Sequence, residues 1–224
     1  MTKIIYLLPP SEWKNSENIF SSESLSFPFE KPLEIAKNAT EKDLKCKDKR
    51  FQEAQNLNIN IWNSQTNFAV SRYDWVMYSA IDYQNMSKKW QKYFENHFLI
   101  LSGMYGIVQP KDHIANYKLP IETKWLYNFW WEKITQTLQE IWADVIVDLL
   151  PNSYKKMIDF SLLSAEIYEI DFVENIDGKT QKISHWVKKI KWEFIKNICE
   201  NWELKIEKYF VKTQKNKKIF QIEI

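Results

Sequence analysis

Three glycines in 224 residues constrain the folding of this chain more tightly than any other feature. A soluble domain of this length carries about 16, at the usual roughly 7%. Glycine is the residue that takes φ > 0 without steric cost, and turns, bulges and helix C-termini rely on it. A chain this long with so few should have trouble turning. The deficit sits beside an excess: eleven tryptophans, normally among the rarest residues. Depletion of one type and inflation of the other ask for a single cause.

In other respects the composition is that of an ordinary globular protein. Hydrophobic residues make up 45% and charged residues 27%, enough for a real core. The net charge of +2 is unevenly placed, because twelve lysines stand against five glutamates between Lys179 and Ile224. A basic C-terminal fifth suits an anionic partner, and equally a solvated lysine-rich surface. Two cysteines, Cys46 and Cys199, without a CxxC or a histidine at ligand spacing, speak against a disulfide scaffold, a zinc site or any other metal centre. No signal peptide and no apolar run of about 18 residues is present. The expectation is a cytoplasmic protein with no membrane contact and no cofactor.

Hydrophobic periodicity places strands and helices in alternation. Residues 3–8 read as a strand and 9–30 as a polar, turn-rich segment. Short helices follow at Pro32–Asn38, after a Thr40 cap with Glu41 and Asp43 in the first turn, and at Arg50–Leu57. Residues 68–83 begin as a strand and end in a turn or short helix. A helix over 87–98 leads into the buried strand 99–102, and 103–121 reads as a long irregular segment with two of the three glycines. Residues 126–142 form an amphipathic helix with Phe129, Ile134, Leu138 and Ile141 on one side. Strands are expected at 143–150 and 165–174, with a turn and helix between them. Ser184 caps a basic helix over 185–200, and a hairpin ends the chain. With no linker or repeat, this order predicts one α/β domain over 1–224, a mixed β-sheet flanked by helices.

The site candidates are basic and polar. Lys14 and Arg72 lie near strand ends, Tyr105, Tyr117 and Lys118 in the long central segment, and Lys188, Lys189 and Lys191 on the basic helix. Together they would line a positive cleft suited to phosphates. Each also has a plain structural reading: Arg72 paired with Asp74 or Asp82, the tyrosines as core or rim aromatics, the lysines as a solvated helix face. Glu12 beside Lys14 reads as a general base or as a loop-stabilising ion pair, and Asp112 as a turn-fixing side chain. Asp148 is a further acidic candidate. His97, His113 and His185 have no partner pattern. Ser102-Gly103 lacks the surroundings of a nucleophile elbow, and no Walker A or GxGxxG is present.

Several stretches, in order and at spacing, resemble the YaaA family of bacterial peroxide stress proteins: LLPPSEWK, SRYDWVMYSAID, LSGMYGIVQPKDHIANYKLPI, LYNFWW, DVIVDLLPNSYKKMI and ISHWVKKIKW. The run Leu101 to Leu119 is the most specific. The resemblance adds Ser11, Glu12 and Lys14 in the first loop, Arg72 with Tyr73, and Lys188 with Lys189 to the candidate site. It implies a peroxide-stress role that keeps free intracellular iron low, and non-specific binding of double-stranded DNA through a positive cleft and a helix-hairpin-helix, for which residues 33–62 are the favoured region. The residues themselves leave open an enzyme acting on a small anionic ligand, phosphorylated or nucleotide-like, at the Ser11–Lys14 loop. The chain departs from the family with Gln109 and Lys118 where arginine is usual. It also has tryptophan at positions 13, 75, 131 and 192, where relatives tend to have glycine. Trp142 and Trp202 follow expected helix ends. These tryptophans read as UGA codons of a lineage that decodes UGA as glycine; a genuinely tryptophan-rich protein is the alternative.

Overall fold

In the computed structural model the chain is described over residues 2–74, 76–176, 179–182, 194–198, 209–214 and 217–223. Strand β1 (Ile4–Leu8) is the apolar run IIYLL, buried along almost its whole length. The polar segment that follows makes only isolated bridges, Lys14 to Tyr73, Phe20 to Thr66 and Ser24 to His113. Three helices come next: α1 (Leu33–Lys37), α2 (Glu41–Leu44) and α3 (Asp48–Ile59). Thr40 caps α2 as expected, and together with Asp43 it forms a capping box, each side chain bonding the other's backbone N–H. Strand β2 (Thr66–Phe68) leads into α4 (Ala69–Arg72), α5 (Val76–Ile81) and α6 (Lys88–His97).

The fully buried β3 (Phe98–Ser102) follows, then β4 (Gly106–Val108) and β5 (His113–Ala115). The segment 103–121, expected to be irregular, thus contains two short strands. Two glycines make its sharp return possible. Gly106 has φ +72 and lies against the Trp130 ring, and a Cβ on Gly103 would sit 2.1 Å from the Leu119 carbonyl oxygen. Helix α7 (Leu126–Glu140) buries Leu126, Trp130, Ile134 and Leu138, so its inner stripe centres on Trp130 rather than Phe129. The spacing of four residues had two possible phases, and the larger indole took the interior. Strand β6 (Val145–Asp148), α8 (Asn152–Lys155), β7 (Glu166–Ile176), β8 (Lys179–Lys182) and the hairpin β9 (Tyr209–Gln214) to β10 (Lys217–Glu223) complete the order.

The main sheet has strand order β4-β3-β1-β6-β7-β10-β9, with β8 paired to β7. It is mixed: β3, β1, β6, β7 and β10 run parallel, while β4, β8 and β9 are antiparallel to their neighbours. Strands β2 and β5 form a separate antiparallel pair. The expected α/β class and mixed sheet are what the chain adopts. Of the basic helix expected over 185–200, only the helical stretch 194–198 lies among the described residues. Lys188, Lys189, Lys191, His185, Cys199, Trp75, Trp192 and Trp202 lie outside them.

Candidate functional site

From β1 the chain passes to β3 on one side of it, and later to β6 on the other. In open parallel sheets, ligands bind outside the carboxyl ends of the strands where the direction of winding reverses. The loop Pro9–Ser16 leaves β1 at that point, flanked by Ser102 at the end of β3 and Asp148 at the end of β6.

The loop is held by its backbone. Asn15 N donates to Arg72 O (2.8 Å), and Asp74 N to Trp13 O (3.1 Å). Trp13 N donates to Ser11 Oγ at 3.2 Å. Arg72 is fully buried. Its guanidinium donates to the carbonyls of Ile114 and Asn15 and, at 2.7 Å, to Asn18 Oδ1. The structure therefore uses Arg72 to fix the shape of the loop, not to pair with Asp74 or Asp82.

Beneath the loop the hydroxyls of Tyr73 and Tyr117 lie 3.0 Å apart, and Tyr117 is 2.8 Å from Ser102 Oγ. Ser102 Oγ also accepts from Tyr105 N at 3.0 Å, so Ser102 is a network member without an activating base. Burial pushes the Tyr117 phenol up to about 12 and Tyr73 well above its ordinary value. Both keep their protons at neutral pH. The Tyr105 hydroxyl donates to Glu23 (2.7 Å) and accepts from Ala115 N (3.0 Å), tying the early loop to the central segment.

Lys14 is the group that stands out. It is half-buried. Nζ donates to Ser11 O at 3.1 Å and lies 4.2 Å from the centroid of the Tyr117 ring. Burial and then the charges of Lys118 and Arg72 bring its pKa down to about 7, against an opposing pull from Glu12. The Glu12 carboxylate itself pairs with Lys45 at 3.4 Å. Glu12 thus makes an ion pair with a partner that the adjacent Lys14 concealed in the sequence.

A cavity of about 420 Å³ opens over Lys14, walled by Glu12, Trp13, Lys45, Arg50, Glu53, Tyr117 and Lys118 among others. Ser11, Tyr154 and Pro120 help to line a smaller recess that shares Lys14, Tyr117 and Lys118 with this cavity. Four cations meet two carboxylates, and Glu53 leans on Lys49 at 3.8 Å. Burial lowers Lys45, but the stronger combined pull of Glu122 and Glu12 raises it, so it stays charged. The buried Asn58 side chain holds the backbone of Lys118 from both sides, donating to its carbonyl (2.8 Å) and accepting from its N–H (2.9 Å). Lys45, Arg50 and Asn58 were not foreseen from the sequence. The run KCKDKR at 45–50 carried a charge signal, but only the packing of α3 brings it to the first loop.

The other candidates are structural. Asp112 accepts from Ser26 N, Ser26 Oγ and Gln109 N, as a turn-fixing residue should. Asp148 pairs with Lys155 (3.0 Å), which also holds Glu169 (2.8 Å). His97 Nδ1 lies 2.9 Å from the Ile4 carbonyl, and His113 stacks on Phe20 at 3.7 Å. Among the described residues no three His, Cys, Asp or Glu side chains are grouped to hold a metal ion. No helix among them is long and apolar enough to cross a membrane.

The sequence profile of the family described as peroxide stress protein YaaA matches residues 4–214. A UPF0246 protein of Francisella tularensis subsp. novicida (strain U112) is 31% identical over 168 residues, covering 70% of this chain and 66% of the relative. A UPF0246 protein of Francisella philomiragia subsp. philomiragia is 32% identical over 143 residues, or 59% of this chain and 56% of the relative. The matched region spans just under two thirds of the length of the tularensis relative.

Proposed function

The chain belongs to the peroxide stress protein YaaA family, and on that premise we propose that it serves the peroxide stress response in the cytoplasm through the pocket at the end of β1, which takes a small anionic ligand. The outcome is a lower level of free intracellular iron and less oxidative damage. The observation that supports this reading is the cavity itself. Lys14, Lys45, Arg50 and Lys118 converge on a volume of about 420 Å³, within the size range of ligand pockets, at the reversal point of a parallel sheet.

The test is a thermal-shift screen of phosphorylated metabolites and nucleotides. A ligand at a hundred times its Kd stabilises by about 2.7 kcal/mol, or roughly 5–10 °C for a chain of this size. Lys118→Ala should remove most of that shift. If no anion in a broad screen raises Tm, the reading fails.

A second reading, weak non-specific binding of duplex DNA, is favoured by two observations. Twelve lysines crowd residues 179–224. The turn between α2 and α3, inside the segment favoured for a helix-hairpin-helix, presents Lys45 and Lys47 and holds Lys45 and Asp48 at positive φ without glycine. Binding should weaken with salt at a slope of about −0.9 per neutralised phosphate, and Lys188→Ala/Lys189→Ala/Lys191→Ala should reduce that slope by about 3. Salt-independent binding, or none at low salt, overturns it.

The tryptophan excess belongs to the same proposal. Trp125 (φ 70) and Trp142 (φ 53) occupy left-handed backbone and are 63% and 77% exposed. Both properties suit glycine. Peptide mass spectrometry of the protein from its native source, covering positions 13, 75, 125, 131, 142, 192 and 202, decides whether glycine stands there. Tryptophan at all of them overturns the recoding reading.

A further inference from the structure

We propose that Lys14 is the reactive group of this pocket and forms an imine with a small aldehyde or ketone that also bears a phosphate or carboxylate. The inference rests on the reading that the pocket takes an anion, and adds what the pocket does to it.

The four cations are not equivalent. Lys45 is held charged by two carboxylates, at 3.4 and 3.2 Å. Lys118 is fixed through its backbone by Asn58. These are the properties of anion-holding groups. Lys14 has the opposite surroundings. Among the described residues no carboxylate pairs with it, and its hydrogen bonds run to the carbonyls of Ser11 (3.1 Å) and Glu12 (3.5 Å). Burial partly desolvates an ammonium there and the like charges of Lys118 and Arg72 oppose it, and against the pull of Glu12 these effects favour the neutral amine. A neutral amine has a free lone pair, and a desolvated lysine beside other cations is the usual form of an imine-forming nucleophile.

The chemistry balances with nothing else supplied. The Lys14 lone pair adds to the carbonyl carbon as the C=O π electrons move to oxygen. A proton passes from nitrogen to that oxygen, and water leaves as the C=N bond forms. The cations on the cavity wall would hold the anionic tail and fix which face of the carbonyl meets Nζ. Tyr117 presents its ring to Nζ at 4.2 Å, so when the imine takes a proton from solvent the resulting iminium lies on an aromatic face that tolerates positive charge.

The test uses pyridoxal 5′-phosphate, an aldehyde that carries a phosphate, on the full chain, with borohydride reduction and peptide mapping. At pH 7 an amine with pKa about 7 has roughly a thousandfold more free base than an ordinary lysine. Modification should therefore concentrate on Lys14, rise through pH about 7, and fall when inorganic phosphate competes. Lys14→Arg cannot form an imine and should lose the labelling at that position. If phosphate stabilises the protein but label spreads over surface lysines, or reaches Lys14 only as pH approaches 10, the imine inference is overturned and the anion pocket stands. If phosphate and pyridoxal phosphate neither stabilise nor label, both are overturned.

Discussion

Replacing Trp142 by glycine should make this protein more stable, an unusual outcome for removing the largest side chain. Trp142 follows the end of α7 with φ 53, the position where helices most often place glycine. Holding an L-residue in left-handed backbone costs about 1–2 kcal/mol, from the clash of Cβ with the following carbonyl. Glycine removes that cost and adds about 0.5–1 kcal/mol of unfolded-state entropy. The indole contributes little in return. At 77% exposure it is about as open to water as in a realistic denatured chain, which already hides roughly 10–40% of its surface. The net gain is about 0.5–1 kcal/mol, or roughly 1–4 °C in Tm for a domain of this size. Trp125, at φ 70 and the opposite end of the helix, should behave alike. The fifteen-residue helix between them holds the two more than about 20 Å apart, so the gains should add. Urea denaturation of the two single variants and the double variant measures this directly. Trp130→Gly is the control: that ring is fully buried and its Nε1 donates to Gly103 O at 2.9 Å, so its loss should cost about 4–6 kcal/mol. A loss of more than about 1 kcal/mol in Trp142→Gly would falsify the strain account, since the steric term would then be absent.

Arg72→Ala should destabilise by roughly 3–5 kcal/mol, because the carbonyls of Ile114 and Asn15 lose a buried charged donor. Arg72→Lys should recover little of it, since an ammonium cannot reproduce the fork; full recovery in a urea melt would show that only charge is needed. Asn58→Ala leaves both backbone groups of Lys118 without their side-chain partner, at about 1–3 kcal/mol each when buried, and should also weaken anion binding. Unchanged binding would remove Lys118 from the site. Lys14 has a folded pKa depressed to about 7 from an unfolded value of about 10.4. The unfolded chain therefore binds the extra proton between these values, and stability should rise with pH from about 7 to 10. Lys14→Met should flatten that rise and stabilise the protein at pH 7; an unaltered pH profile would place the ammonium in water.

Much of the fold was legible because its signals are local. The apolar run of β1, the Thr40 cap of α2 and the buried β3 each announce themselves within a few residues. What escaped depends on distant parts of the chain. The strands β4 and β5 are three residues each and exist only because β3 and β2 pair with them. Glu12 finds Lys45 thirty-three residues away, and Arg72 turns to Asn15 and Ile114 instead of the nearby Asp74. Of the foreseen site, Lys14, Tyr73, Tyr117 and Lys118 do come together, but with unequal roles. The tyrosines form a buried hydrogen-bonded floor, while Lys14 and Lys118 face the cavity. Residue type had marked all of them simply as polar or basic.

The composition anomaly and the site meet at Trp13, and the local physics there differs from that at Trp125 and Trp142. Trp13 does not have a positive φ. Its N–H is held by Ser11 Oγ and its carbonyl by Asp74 N, bonds that glycine would make equally well. Trp131 likewise sits inside α7, where glycine would cost about 1 kcal/mol relative to alanine. Backbone strain therefore argues for glycine at the two helix ends and gives no support at positions 13 and 131, where the resemblance alone speaks. What glycine would change at 13 is access. The indole is 62% exposed while forming part of the cavity wall, so removing it widens the mouth over Lys14 and leaves the loop backbone in place. Trp13→Gly should thus leave stability nearly unchanged, yet speed the labelling of Lys14 by pyridoxal phosphate. An equal labelling rate in the two forms would mean that the indole stands clear of the path to the amine.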